Sequence, residues 1–121
     1  HFLGYRTDVE AILAKSDLVF HSSIAPDSLP TVLFEAIKMK VPLVATELAG
    51  AVEILDNGNC GLLVPLNNAK KVADLINDYI KDEKLKISNI EKAIEYTNQH
   101  FSPTQFKKNI LDIFKIILTS K

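Results

Sequence analysis

His21 to Thr46 reads HSSIAPDSLPTVLFEAIKMKVPLVAT, and this stretch decides the fold. It passes from an apolar strand through a polar loop into a helix opening, then returns as a second strand. Leu18 to His21 supplies the first strand and Val41 to Thr46 the second, with a helix predicted between them from about Pro30 to Met39. That helix carries an apolar stripe at Val32, Leu33, Ala36 and Ile37, the spacing of one buried face. Pro30 suits the first helical position, where a missing N–H is harmless, and Asp27 or Ser28 is placed to cap it. The unpaired N–H groups and the dipole at such a helix start favour negative charge. Glu35 lies eight positions after Asp27, just past the first turn, so its carboxylate can accept hydroxyl hydrogen bonds at the mouth of the loop. The combination suits a molecule carrying both phosphates and hydroxyls.

Outward from this unit the same alternation continues. Phe2-Leu3-Gly4-Tyr5 reads as a further strand, followed by a helix over about Asp8 to Ala14. Leu18 to His21 is apolar enough to predict a strand buried on both faces. Glu47 to Ala51 reads as a loop and Val52 to Leu55 as a short helix stopped by Asp56-Asn57-Gly58. Gly61 to Val64 is a fourth strand ended by Pro65, and helices are predicted over Ala69–Lys81, Ile87–Gln99 and Pro103–Leu118. Ser102-Pro103 provides a cap and a first-position proline for the last of these. Its apolar stripe (Phe106, Ile110, Ile113, Phe114, Ile117) calls for a partner surface and, exposed, would drive self-association. Strands alternating with helices imply an α/β fold: a Rossmann-like parallel sheet of about four strands with flanking helices and a helical C-terminal end. Four strands make only part of a doubly wound domain.

At 121 residues the chain is one domain or part of one, and a 47% hydrophobic fraction is enough for a real core. Fourteen basic residues against fifteen acidic ones leave no electrostatic footprint for nucleic acid. The single cysteine, Cys60, has no partner for an internal disulfide and reads as a small packed residue. No apolar run is long enough to span a bilayer. No His, Cys and Asp cluster has metal-ligand spacing, so the sequence requires no metal. The start at His1, opening directly into an apolar stretch, suggests a piece of a longer protein.

Five blocks then line up in order: Val19-Phe20-His21-Ser22-Ser23, Asp27 through Ile37 with Glu35, Val41 through Thr46, Ala49-Gly50-Ala51-Val52-Glu53, and Gly61-Leu62-Leu63-Val64-Pro65. Together they resemble the second half of the C-terminal, donor-binding domain of retaining GT-B glycosyltransferases, the group 1 family that includes glycogen synthase. The resemblance runs from about Phe2 to Lys81. It implies that residues 1–121 form a partial nucleotide-sugar-binding domain of a two-domain enzyme whose acceptor-binding N-terminal domain lies outside the chain. It also implies transfer of a sugar from a nucleotide-diphosphate sugar to an acceptor with retention, in polysaccharide or lipopolysaccharide assembly. By it, Asp27 faces the transferred sugar as the catalytic carboxylate and Glu35 takes the ribose hydroxyls. The turn Ser28, Leu29, Pro30, Thr31 and Val32 lies against the diphosphate, and Gly50 belongs to the donor-binding set. No cofactor or metal is implied. The partners are the nucleotide sugar and a saccharide or lipid-linked acceptor, and the setting is cytoplasmic, extending to peripheral association at the inner face of the membrane. The isolated chain is expected to be a binding half-site without activity.

The upstream part of the domain, with the Arg and Lys that the family uses on the diphosphate, is expected to lie outside the chain, and three further departures from the family pattern stand out. Asp27 replaces the commoner Glu, Ser28-Leu29-Pro30 replaces a frequent Gly-Phe-Gly, and Ala49 replaces the first glycine of a pair. Plainer readings run alongside. From pattern alone Glu35 is a solvent-facing helix residue, and Asp27 reads equally as a cap and as a sugar contact. Glu53 is expected to cap its turn, His21 to be structural, and Ser22 and Ser23 to hydrogen-bond the turn. Lys70-Lys71 and the lysines from Lys81 to Lys86 read as a solvated face. Two rival functions stand beside this one. A phosphoacceptor receiver domain needs an acidic pair that this sequence does not bring to Asp17. A non-catalytic α/β binding or interaction module keeps the same fold without the chemistry.

Overall fold

A computed structural model of the protein describes residues 1–119. Three parallel strands form its sheet: β1 (Val19–His21), β2 (Leu43–Thr46) and β3 (Leu62–Val64), in the order β1-β2-β3. Val19 pairs with Leu43 and His21 with Ala45, while Val44 pairs with Leu62 and Thr46 with Val64. The helices are α1 (Val9–Leu13), α2 (Thr31–Lys38), α3 (Ala49–Ile54), α4 (Ala69–Lys81), α5 (Glu83–His100) and α6 (Pro103–Thr119). A single 3-10 turn, Asp56–Gly58, follows α3, with Asn57 in the left-handed region at φ 56°. This is the Rossmann-like parallel α/β architecture with a helical C-terminal end.

Strand β2 is central, and all four of its residues are buried. Its alternation splits the core in two. Leu43 and Ala45 join Leu13, Leu33, Ala36, Ile37, Ile54 and Leu55 under α1, α2 and α3. Val44 and Val64 join Tyr79 on the other face, covered by Val72, Leu75 and Ile76 of α4. Strand β1 departs from the expectation of two buried faces. It lies at the edge of this sheet, and Phe20, between partly buried Val19 and His21, is 41% exposed.

Phe2 to Tyr5 does not form the expected strand. Gly4 adopts φ 65°, which interrupts an extended run, and Phe2, Leu3 and Tyr5 are exposed without a neighbouring strand among the described residues. Glu47 to Ala51 is not wholly loop either, since α3 begins at Ala49 with Leu48 as its extended cap residue. Alanine at position 49 is a good helix former and lets the turn start early. α5 likewise begins four residues before the expected Ile87. Asp82 ends α4 and caps α5 in one step, its Oδ1 accepting from Leu85 N at 2.9 Å. A relay ties α4 and α5 to the turn before β3: the Tyr79 hydroxyl donates to Asn89 Oδ1 at 3.1 Å, and Asn89 Nδ2 donates to the Asn59 carbonyl at 2.7 Å. At the far end of α5, Phe101 packs edge-on against Phe34 of α2, ring centroids 5.1 Å apart.

Candidate functional site

Parallel strands that all run the same way bring their connecting loops to one edge of the sheet, which is where α/β folds hold ligands. The loop after β1 (residues 22–29) and the β2–α3 turn meet there. Within the first loop the Ser23 hydroxyl donates to the Ala25 carbonyl at 2.9 Å, the turn bond expected of it. Asp27 Oδ1 accepts from Leu29 N at 3.2 Å. Asp27, Ser28 and Leu29 are exposed, and Pro30 is buried.

The capping expectation for Asp27 or Ser28 is corrected by this geometry. Pro30 is itself the cap residue of α2, with extended backbone (φ −65°, ψ 106°), and no side chain caps the helix. Asp27 lies four positions before the first helical residue, Thr31, and its carboxylate closes its own turn instead. Leu33 N donates to the Pro30 carbonyl at 3.1 Å, leaving Thr31 and Val32 as first-turn donors with neither an intrahelical nor a side-chain acceptor. Each of the other helices of eight residues or more has such a cap: Asn68 for α4, Asp82 for α5 and Ser102 for α6.

Thr31 and Glu35 are one turn apart and so share a face of α2, with Thr31 exposed and Glu35 half-buried. Gly50, buried in α3, meets protein atoms. A Cβ added to it would fall 2.2 Å from the Asp27 carbonyl oxygen and 2.6 Å from that of Ser28. The structure therefore brings Gly50 together with Asp27 and Ser28. Leu29, 41% exposed, points instead into a cleft of about 600 Å³ that it shares with Glu53, His100 and Phe106.

Glu53 is the fifth residue of α3 and exposed, so it caps nothing; its expected capping role is overturned because the helix starts three residues earlier than predicted. His21 is partly buried, with Nδ1 enclosed and without a hydrogen-bond partner. Cys60 is the small packed residue expected, its thiol pushed up to about 11 chiefly by burial. Sequence reasoning missed Thr46. It is 7% exposed, and its hydroxyl donates to the Ser23 carbonyl at 2.6 Å, with the His21 carbonyl at 3.4 Å. The available signal was a hydroxyl ending an otherwise apolar strand, since a buried polar group needs a partner. Among the described residues no group of three or more His, Cys, Asp or Glu side chains is placed to hold a metal ion, and no helix is long and apolar enough to cross a membrane.

Comparison with known proteins agrees with this architecture. The N-acetyl-alpha-D-glucosaminyl L-malate synthase of Bacillus anthracis is 34% identical over 100 residues, covering 83% of this chain and 26% of that protein. The lipopolysaccharide core biosynthesis glycosyltransferase LpsE of Rhizobium meliloti is 28% identical over 120 residues, covering 99% of this chain and 34% of that one. Among solved structures, Anabaena HepE in complex with UDP superposes with a TM-score of 0.80 at 29% identity, covering 93% of this chain and 31% of that one. HepE has also been solved in complex with UDP-glucose. The chain thus spans between a quarter and about a third of the length of these relatives. Residues 1–99 match the family described as Glycosyl transferases group 1, and the chain belongs to that family.

Proposed function

We propose that this chain is the donor-binding part of a glycosyltransferase that uses a nucleotide-diphosphate sugar. The observation that carries the reading is the open start of α2. It is uncapped, at the ligand edge of a parallel sheet, and flanked by a carboxylate on either side, Asp27 before it and Glu35 within it. In the proposed complex the diphosphate lies against the turn Ser28, Leu29, Pro30, Thr31 and Val32, with the N–H groups of Thr31 and Val32 as donors. Leaving-group charge is stabilised by donors already in place, at no cost of reorganisation during the reaction. Glu35 takes the ribose hydroxyls and Asp27 a hydroxyl of the transferred sugar. The acceptor oxygen bonds to the anomeric carbon as the bond to the phosphate oxygen breaks, with retention. The acceptor proton passes to the released diphosphate or to water.

The reading assigns no metal to the site; the helix start offsets part of the phosphate charge, about half an elementary charge. Kinship with LpsE, a lipopolysaccharide core biosynthesis glycosyltransferase, supports transfer to a saccharide or lipid-linked acceptor in polysaccharide or lipopolysaccharide assembly. In the same proposal the acceptor is held by an N-terminal domain of the whole protein. A cytoplasmic setting with peripheral membrane association is part of the same proposal.

Titration of the protein with UDP-, GDP- and ADP-glucose, followed by amide NMR, tests it. Binding is expected to shift residues 27–35, and Glu35→Gln is expected to weaken it about tenfold, the loss of a charge-assisted hydrogen bond. Asp27→Ala is expected to lower transfer far more than donor affinity. A donor that binds equally well to Glu35→Gln would sink the ribose assignment. Binding by a protein that transfers nothing would leave a non-catalytic nucleotide module.

A further inference from the structure

The loop from Ser22 to Leu29 holds no regular structure, and most of it is exposed. A segment of that kind is ordinarily mobile. Two contacts from a different crossover, four residues apart in sequence, bear on it. At the end of β2, the buried Thr46 hydroxyl has a single proton and gives it to the Ser23 carbonyl at 2.6 Å; the 3.4 Å approach to the His21 carbonyl is secondary. At the start of α3, Gly50 leaves room for the backbone of Asp27 and Ser28, whose carbonyl oxygens occupy the space a Cβ would need. The neighbouring Ala49 is exposed, so its methyl is tolerated where one at position 50 is not.

We infer that Thr46 and Gly50 are positioning residues that clamp the β1–α2 loop at both ends and thereby fix the backbone from which the Asp27 carboxylate projects. The clamp holds the backbone on either side of Ala25 and Pro26, in a loop that carries Ser28-Leu29-Pro30. It also gives Gly50 a role without donor contact: the glycine accommodates the loop, and the loop meets the ligand. What the loop presents to a ligand rests on the donor reading above, whereas the clamp itself does not.

Thr46→Val, Thr46→Ser and Gly50→Ala in the whole protein separate these points. Backbone order parameters from NMR relaxation, thermal unfolding and affinity for UDP-, GDP- and ADP-glucose would be measured on each. Thr46→Val removes the proton at nearly constant shape, and Thr46→Ser keeps it. Order parameters at residues 22–29 are expected to fall from about 0.85 towards about 0.6 or below in Thr46→Val and in Gly50→Ala, with residues 43–45 unchanged, and to stay near wild type in Thr46→Ser. Affinity for whichever nucleotide sugar binds the wild type is expected to fall about tenfold in Thr46→Val and to recover in Thr46→Ser. Unchanged loop order parameters in a folded Thr46→Val overturn the clamp, and this variant decides the matter should Gly50→Ala fail to fold. A loosened loop with undiminished affinity and turnover overturns the positioning role. A loosened loop in a protein whose wild type binds none of the three sugars supports the clamp and counts against the donor reading instead.

Discussion

α2 and α6 both open on a proline preceded by a nearby serine, and both carry an apolar stripe, yet the two starts are built differently. In α6 the signal works as usual: Pro103 is the first helical residue, and Ser102 Oγ accepts from Gln105 N at 3.2 Å. In α2 the proline has moved back into the cap position, the serine sits two residues further out, and no side chain closes the helix. The packing is opposite as well. α2 buries Leu33, Ala36 and Ile37, whereas α6 buries none of its residues within the described chain. An anchored helix with an open start holds unpaired first-turn N–H groups on a fixed frame. A capped helix with an exposed apolar side is complete at its end and incomplete along its length.

The widest separation between the two should come from deleting a leucine. Leu33 is fully buried, so Leu33→Ala is expected to cost about 2–5 kcal/mol through lost burial and the cavity left behind. Leu111 on α6 is 48% exposed, and Leu111→Ala should cost less than about 1 kcal/mol. Urea unfolding of the two variants measures both. Equal losses would mean that α6 is as firmly packed as α2.

Alkaline pH should act on α2's side of the molecule through Cys60, which is only 2% exposed in the cluster that α2 covers. Burial raises its thiol from 9.0 to about 11, so the unfolded chain releases this proton first. Between those values the folded state binds more protons than the unfolded state, and stability therefore falls as pH rises. The contribution is complete below pH 9 and gone above about 11, with Tyr79 adding the same sign as its phenol, raised from 10.0 to about 12, titrates. Cys60→Ala should flatten the lower part of that slope in urea unfolding at a series of pH values. An unchanged slope would place its origin elsewhere.

Caps should separate the helices more finely. Ser102→Ala removes the side-chain acceptor of α6 and is expected to cost about 1 kcal/mol, while Ser28→Ala, whose hydroxyl caps nothing, should leave stability within about 0.5 kcal/mol. Thermal unfolding reads both. In the proposed function, any effect of Ser28→Ala belongs to ligand binding.

The same contrast marks what the sequence could reveal. Period and punctuation placed α4 at Ala69–Lys81 and gave α6 its start, because Asn68 and Ser102 act locally on their own helices. The Asp82 cap also acts locally, but it sits in a run of alternating charge that masked the start of α5. The predicted strand at Phe2–Tyr5 had the right residue types, and only the backbone reveals the positive φ at Gly4. At the site, the sequence marked Asp27, Glu35 and the helix start by their spacing. It held no trace of the encounter of Gly50 with Asp27 and Ser28, since that contact joins two crossovers through backbone atoms. Thr46 was visible only as a polar residue in an apolar strand. Its acceptor, the Ser23 carbonyl, lies 23 positions away and is set by the register of β1 against β2.

The smallest expected effect on stability lies on α6 itself, where Ile113 and Phe114 are 53% and 55% exposed. Replacing either by Lys removes apolar surface that is already largely in water and leaves no buried cavity. The change in unfolding free energy should therefore stay within about 0.5 kcal/mol. The same substitutions act strongly on association, because a run of exposed apolar side chains favours contact between molecules and a lysine in its midst opposes it. Sedimentation of this chain at increasing concentration should show self-association weakened in Ile113→Lys and Phe114→Lys, with urea unfolding unchanged. A stability loss of about 2 kcal/mol or more would instead mean that this side of α6 is covered as tightly as Leu33, and the contrast between the two helices would reduce to their starts.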